Sequence, residues 1–177
     1  MSYDLVLFHL TEGQDPDAKY QEYAEQQEQA AVDLDAWMKR PVPQAARTRM
    51  QGLSDALRRQ HPALEQFQPE RSLPWIELNH EDLQVQVTIG EQDVGITTPY
   101  FRERASESVA LIQGCLKILS EEGGFVAYDP QLGRVINPDD TQSILTAYNS
   151  VDGALPDILK SVADSEGGSK KPWWKFW

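Results

Sequence analysis

Hydrophobic and polar residues change their spacing several times along the chain, and each change predicts an element. Residues 3–10 are short, apolar and aromatic, which predicts a strand buried on nearly both faces. Asp15-Pro16-Asp17 then has the chemistry of a helix start, with an N-cap acid before a proline. The predicted helix, 16 to about 39, aligns apolar side chains at three- and four-residue steps, namely Tyr20, Ala24, Ala31, Leu34 and Met38. Its other face carries Glu22, Glu25, Glu28 and Asp33.

A second helical pattern follows two prolines and has the opposite charge. Residues 43 to about 60 align Ala46, Met50, Leu53 and Leu57, and they carry Arg47, Arg49, Arg58 and Arg59. We therefore expect an N-terminal helical hairpin over about 16–60, in which the two helices pack together. Residues 62–74 contain three prolines and are expected to form an irregular connection.

The spacing then shortens to two residues, which is typical of strands. Strands are predicted at 75–78, 83–89 and 94–97, with a turn at 90–93. A clear helix follows, whose apolar stripe is Ala105, Val109, Ile112, Leu116 and Leu119 and whose end is Gly123-Gly124. Cys115 lies beside that stripe and is expected to be buried.

The remaining pattern completes a mixed order of elements. Two strands, 125–128 and 134–136, are followed by a short helix starting near 137–140 and another at 155–163. This order predicts an α+β fold with a largely antiparallel sheet of about five to six strands packed against helices. We expect a single domain over 1–163, whose sheet and helix core spans about 75–150, and a flexible tail over 164–177.

Composition and charge narrow the class of protein. The 177 residues are 40% hydrophobic and 25% charged, as in ordinary globular domains, and the net charge is −12. That charge makes nucleic acid an unlikely partner, because phosphate binding needs concentrated positive charge. No apolar run approaches the ~20 residues that span a bilayer. A single cysteine and the lack of a signal-peptide pattern at the start lead us to expect a cytoplasmic protein.

The last residues differ sharply from the acidic body. A polar spacer at 164–169 leads to Lys170, Lys171, Pro172, Trp173, Trp174, Lys175, Phe176 and Trp177. Aromatic rings suit an interaction peptide, because they bring large contact area at little rotamer entropy. Four interpretations remain open: the tail folds back on the domain, anchors a partner protein, makes weak contact with a membrane interface, or stacks with single-stranded nucleic acid.

The sequence carries no signature of catalysis. The chain has no Gly-rich phosphate loop, CxxC, HExxH or EF-hand pattern, so we predict no catalytic residues, metal ligands or cofactor. His9, His61 and His80 share no ligand spacing. A cryptic site around His61 or His80 and nearby acids stays open as an enzyme hypothesis.

Two segments carry a weak resemblance to known proteins. The first is the opening Met1-Ser2-Tyr3-Asp4-Leu5. The second is residues 124–131, which include a Tyr-Asp-Pro-Gln turn and are followed by residues 133–136. These resemble small uncharacterised bacterial cytoplasmic proteins loosely grouped with the immunity proteins of toxin systems. The resemblance covers roughly 25 residues of strands and turns, so it indicates the fold more than the activity, and it implies no catalytic residues.

Two non-enzymatic functions follow from these observations. The first is a protein-binding protein, such as an immunity or inhibitor protein, whose acidic face (Glu22, Glu25 and Glu28) meets a basic partner. The alternative is an adaptor or accessory protein whose tail docks on a partner or a membrane interface, with Lys170, Lys171, Trp173, Trp174, Lys175, Phe176 and Trp177 as contacts. The sequence leaves the oligomeric state undetermined.

Overall fold

The computed structural model describes residues 2–67, 73–99, 104–140, 142, 144–146 and 148. Its strands are β1 (Ser2–Phe8), β2 (Glu65–Gln66), β3 (Ile76–His80), β4 (Val85–Ile89), β5 (Asp93–Pro99), β6 (Val126–Asp129) and β7 (Arg134–Ile136). Between these strands along the chain lie the helices α1 (Pro16–Val32), α2 (Leu34–Lys39), α3 (Gln44–Gln60) and α4 (Ala105–Gly123). Within the described residues the strands form one antiparallel sheet in the order β2-β3-β4-β5-β1-β6-β7. The α+β class with an antiparallel sheet is confirmed.

The sheet has more strands than the five to six that the sequence predicts. The additional strand is β2, which lies in the segment expected to be an irregular connection. Glu65 and Gln66 pair with Asn79 and Leu78 of β3. A strand of two residues is too short to show an alternating pattern, so only its pairing with β3 reveals it.

Strand β1 lies inside the sheet, between β5 and β6, and is buried on both faces as predicted. Tyr3, Leu5 and Leu7 enter the main hydrophobic core, on what we call the core face of the sheet. Val6 and Phe8 point to the opposite face and form a smaller cluster with Tyr128. Because successive side chains alternate along a strand, an apolar run without polar interruptions needs cover on both sides.

Helices α3 and α4 cover the core face, and their apolar stripes are buried as the spacing predicts. Met50 and Leu57 of α3 and Ile112 and Leu119 of α4 belong to the same core as the sheet. Helix α4 ends at Gly124, which adopts the left-handed conformation (φ 68°) and donates its N–H to the last turn. Its cysteine, Cys115, is fully buried as expected.

The predicted N-terminal helical hairpin is wrong. The first helix does not continue to residue 39, because Asp33 interrupts it and α2 begins anew at Leu34. Tyr20 and Tyr23 of α1 pack against the Val6–Phe8–Tyr128 cluster, on the face opposite to α3. The two predicted partners are therefore separated by the sheet, whose second apolar cluster needs the cover that α1 provides.

No helix among the described residues combines the length and the apolar character that crossing a bilayer requires.

Candidate functional site

The predicted acidic face lies on the solvent side of α1. This 17-residue helix has no buried residue, and Glu22, Glu25 and Glu28 are all exposed. Lys19 Nζ lies 3.1 Å from Glu22 Oε2. Glu25 and Glu28 form no ion pair with any described residue. Two of the three predicted contact residues thus present uncompensated carboxylates to solvent.

The two faces of the sheet carry helices of opposite charge. Residues 15–39, which include α1 and α2, contain seven acids and two lysines. Residues 44–60, which form α3, contain four arginines and one aspartate. Since the sheet separates α1 from α3, their charges do not offset one another at short range, and negative potential is concentrated on the α1 side.

The junction of α1 and α2 exposes apolar side chains, and we name residues 32–37 the elbow. Val32 is 79% exposed and Leu34 is 53% exposed. The sequence placed Leu34 and Ala31 on the apolar stripe of one helix, but both are exposed. Leu34 leaves the stripe because α1 ends at Val32 and α2 begins anew after Asp33. Asp33 Oδ1 accepts the N–H of Ala36 at 3.1 Å and so starts α2.

Aromatic contacts fix the ends of this helical segment. At its start, Tyr20 stacks on Tyr128 with 5.0 Å between ring centroids. At its end, Trp37 stacks on Trp75 at 5.1 Å, and the guanidinium of Arg40 lies 5.1 Å from the Trp37 ring. These contacts hold the acidic face in place although α1 has no fully buried side chain.

A cleft of about 230 Å³ opens between α1 and the end of the sheet. It is lined by Phe8, His9, Lys19, Tyr23, Gln26, Gln92 and Asp93. Lys19, Tyr23 and Gln26 follow one another at helical steps along α1, whereas Phe8 and Asp93 are register partners in β1 and β5. The cleft is smaller than the roughly 300–1,000 Å³ of sites for drug-sized ligands, so its size suits a single side chain.

Asp93 is the charged group on the sheet side of this cleft. Its carboxylate makes no hydrogen bond and no ion pair with any described residue. Gly90 leaves room for it, because a Cβ at position 90 would lie 2.9 Å from Asp93 Oδ1. Burial raises the pKa of Asp93, and the nearby charge of Arg40 opposes that shift. The hydroxyl of Tyr23 has a raised pKa through its own burial and then through Asp93.

Sequence reasoning did not single out Asp93 or Tyr23 as site residues. Asp93 ends a predicted turn, where aspartate is common for reasons of backbone conformation alone. Tyr23 is off the predicted apolar stripe of the first helix. No local pattern distinguishes these residues, because the cleft forms only when α1 crosses the end of β1 and β5.

The histidines are placed apart from the cleft, with the exception of His9. Nδ1 of His9 lies 3.3 Å from Gly124 O, and its ring stacks on Phe125. His80 Nδ1 accepts the N–H of Leu83 at 3.3 Å, which ties it to the β3–β4 turn. Among the described residues, no three His, Cys, Asp or Glu side chains are grouped to hold a metal ion.

His61 and Cys115 are both closed in by packing. Nε2 of His61 is buried without a hydrogen-bond partner, next to Gly114 of α4. Burial and then the charge of His80 lower the pKa of His61. Burial raises the pKa of the Cys115 thiol to about 12, so it does not provide a thiolate near neutral pH. The hypothesis of an active site around His61 or His80 remains untested by this geometry.

The second set of predicted contact residues, Lys170 to Trp177, lies outside the described residues, as does the predicted helix at 155–163. The fold and the acidic face together define an antiparallel α+β protein with a charged helical surface. No family model matches the chain, and no curated protein or solved structure matches it significantly. The resemblance to immunity proteins therefore stays a prediction.

Proposed function

We propose that this chain is a non-enzymatic protein-binding protein that contacts a basic partner through the exposed face of α1, as an immunity or inhibitor protein does. The observation that carries the proposal is that α1 has no buried residue while it presents Glu22, Glu25 and Glu28 to solvent. A helix held on a sheet by its tyrosines leaves the rest of its surface available for a partner.

Electrostatics supports a basic partner. Negative potential on one side of a molecule raises the rate at which an oppositely charged protein finds it, and salt weakens this effect. Glu25 and Glu28 lack counter-ions among the described residues, so a partner's lysine or arginine would not have to displace an existing pair.

The elbow supplies the apolar component that a specific interface needs. Stable interfaces have an apolar centre within a polar rim. Val32 and Leu34 are exposed within three residues of each other, next to the last turns of α1 where Glu25 and Glu28 lie. We expect the partner to cover the elbow and to meet the acidic face at its edge.

The decisive experiment compares two charge reversals of equal size. The test variant carries Glu22→Lys, Glu25→Lys and Glu28→Lys, and the control carries Glu81→Lys, Glu121→Lys and Glu122→Lys, which are exposed acids outside α1. Both are used beside the wild type in affinity capture from native lysate, and the partner so identified is then purified for association kinetics.

The proposal requires a specific pattern of loss. The α1 reversal should abolish capture and slow association by about ten-fold or more at low salt, whereas the control reversal should retain binding. Equal binding by both variants, or equal loss in both, would contradict a contact through α1. A captured partner without excess positive charge would contradict the electrostatic basis of the proposal.

A further inference from the structure

The cleft between α1 and the sheet contains an unusual carboxylate. Asp93 has no hydrogen-bond or ion-pair partner among the described residues, although the cleft removes much of its surface from water. A half-buried carboxylate without a donor costs free energy, because its hydration is lost without replacement. A cationic ligand that pairs with this carboxylate would offset that cost.

The other groups of the cleft limit which cation fits. The half-buried Tyr23 offers aromatic surface, and the amides of Gln26 and Gln92 offer carbonyl oxygens that accept N–H groups. A guanidinium stacks on aromatic rings, binds a carboxylate through two N–H groups and is weakly hydrated, whereas an ammonium is compact and strongly hydrated. The lining therefore favours arginine over lysine.

The cations near the cleft do not already fill this role. Lys19 also lines the cleft, but its charge is paired with Glu22, whose Oε2 lies 3.1 Å from the lysine Nζ. The guanidinium of Arg40 lies over the Trp37 ring, and its charge acts on Asp93 from a distance without forming an ion pair with it. His9 stacks on Phe125 and directs Nδ1 toward Gly124 O.

We propose that this cleft is an anchor site for one arginine side chain of the basic partner, whose guanidinium pairs with Asp93 and packs against the ring of Tyr23. This inference rests on the proposed function, because it names the group by which the partner is held. Electrostatic attraction to the exposed face of α1 governs the approach, and the cleft provides the specific contact that slows dissociation.

The test uses a small probe of the same chemistry, N-acetyl-L-arginine amide, titrated into the full chain and followed by amide chemical shifts. We expect saturable shifts at Phe8, Tyr23 and Asp93, and weaker binding of N-acetyl-L-lysine amide. Asp93→Asn keeps the shape of the side chain and removes its charge, so it should raise the dissociation constant by about ten-fold or more.

A second variant keeps the proposal testable should Asp93→Asn fail to fold. Gln26→Arg places a guanidinium on the cleft-facing stripe of α1 and should exclude the probe by filling the cleft. Gln21→Arg adds the same group at an exposed position that does not line the cleft, and it should leave probe binding unchanged. Absence of saturable shifts, equal binding by the lysine probe, or undiminished binding by Gln26→Arg would overturn the anchor site.

Failure of this inference and failure of the proposed function are separable. If partner capture depends on α1 but the probe does not bind in the cleft, only the anchor site is refuted. If the probe binds in the cleft but capture is unchanged by reversal of Glu22, Glu25 and Glu28, only the contact through α1 is refuted.

Discussion

The hydroxyl of Tyr128 donates a hydrogen bond of 2.7 Å to Oδ1 of Asp17, and this bond joins the first turn of α1 to strand β6. The same tyrosine ring stacks on Tyr20 and contacts Phe8. Because α1 has no buried side chain, this group of contacts carries a large share of its attachment to the sheet. The position of the acidic face therefore depends on Tyr128.

Tyr128→Phe is expected to loosen α1 without emptying the cluster. The ring remains and only the bond to Asp17 is lost, and since Asp17 is exposed, water hydrates its carboxylate. We expect a loss of about 1 kcal/mol in the free energy of unfolding by urea. Hydrogen exchange should become faster in α1 and stay unchanged in α4. Unchanged exchange in α1 would show that other contacts hold the helix.

Alkaline pH is expected to weaken the same attachment. Burial raises the pKa of Tyr20 and Tyr23, and burial and then the bond to Asp17 raise the pKa of Tyr128 to about 12. A pKa raised by folding means that the native state prefers the protonated phenol. The stability that the protonated Tyr128 contributes to the fold is complete below the ordinary pKa of 10.0 and is lost as pH rises toward 12. Tyrosinate absorbance and circular dichroism should change together over this range, and separate transitions would contradict the coupling.

Gly114→Ala is expected to destabilise the core where α4 meets the end of α3. A Cβ at position 114 would overlap Nε2 and Cε1 of the His61 ring, so the ring would have to shift. Alanine normally stabilises a helix relative to glycine, but here the overlap should cost about 1–3 kcal/mol. Gly52→Ala in α3 is the matched control, because its Cβ meets nothing within 4 Å, and it should be stabilising. Urea unfolding of both variants checks the difference in sign.

Acid pH is expected to reduce stability through His61. Its pKa is lowered in the folded protein by burial and then by His80, so folding favours the neutral ring. The stability that the neutral His61 ring contributes to the fold is complete above the ordinary pKa of 6.5. It declines as pH falls toward the lower pKa that His61 has in the native state. The free energy of unfolding, measured against pH below 6.5, should fall more steeply in the wild type than in His61→Phe. Parallel curves would contradict this role.

Removal of residues 169–177 distinguishes the proposed function from the adaptor alternative. A chain that ends at Gly168 lacks three lysines, so its net charge changes from −12 to −15. If the partner meets α1, association with a basic partner should be retained and become slightly faster at low salt. Loss of capture would instead assign the interaction to Lys170–Trp177.

The elements with strong periodicity could be predicted from the sequence. The stripe of α4 is buried from Ala105 to Leu119, and its end at Gly124 follows from the glycine pair. The alternation of Val85, Val87 and Ile89 placed these residues on the core face. The exposure of Glu22, Glu25 and Glu28 was also predicted correctly, because acidic side chains are rarely buried without a partner.

The errors concern the relation between elements. An unbroken stripe from Tyr20 to Met38 predicted one long helix, yet Asp33 caps a new helix and exposes Leu34. The helical hairpin failed for a related reason. Adjacency along the chain and opposite charge favoured packing of the first helix on the second, but the apolar cluster around Val6 and Phe8 attracts α1 more strongly than surface ion pairs can.

The sequence by itself determined most of the elements, the antiparallel α+β class and the acidity of one helical face, because these depend on side-chain spacing over a few residues. The tertiary structure alone decided which face of the sheet α1 covers and that its stripe of Lys19, Tyr23 and Gln26 meets Phe8 and Asp93. Phe8 and Asp93 are 85 positions apart in the sequence, and no local pattern relates the residues of the cleft. Their meeting follows from the burial of two apolar clusters on opposite faces of one sheet, which is a property of the whole chain.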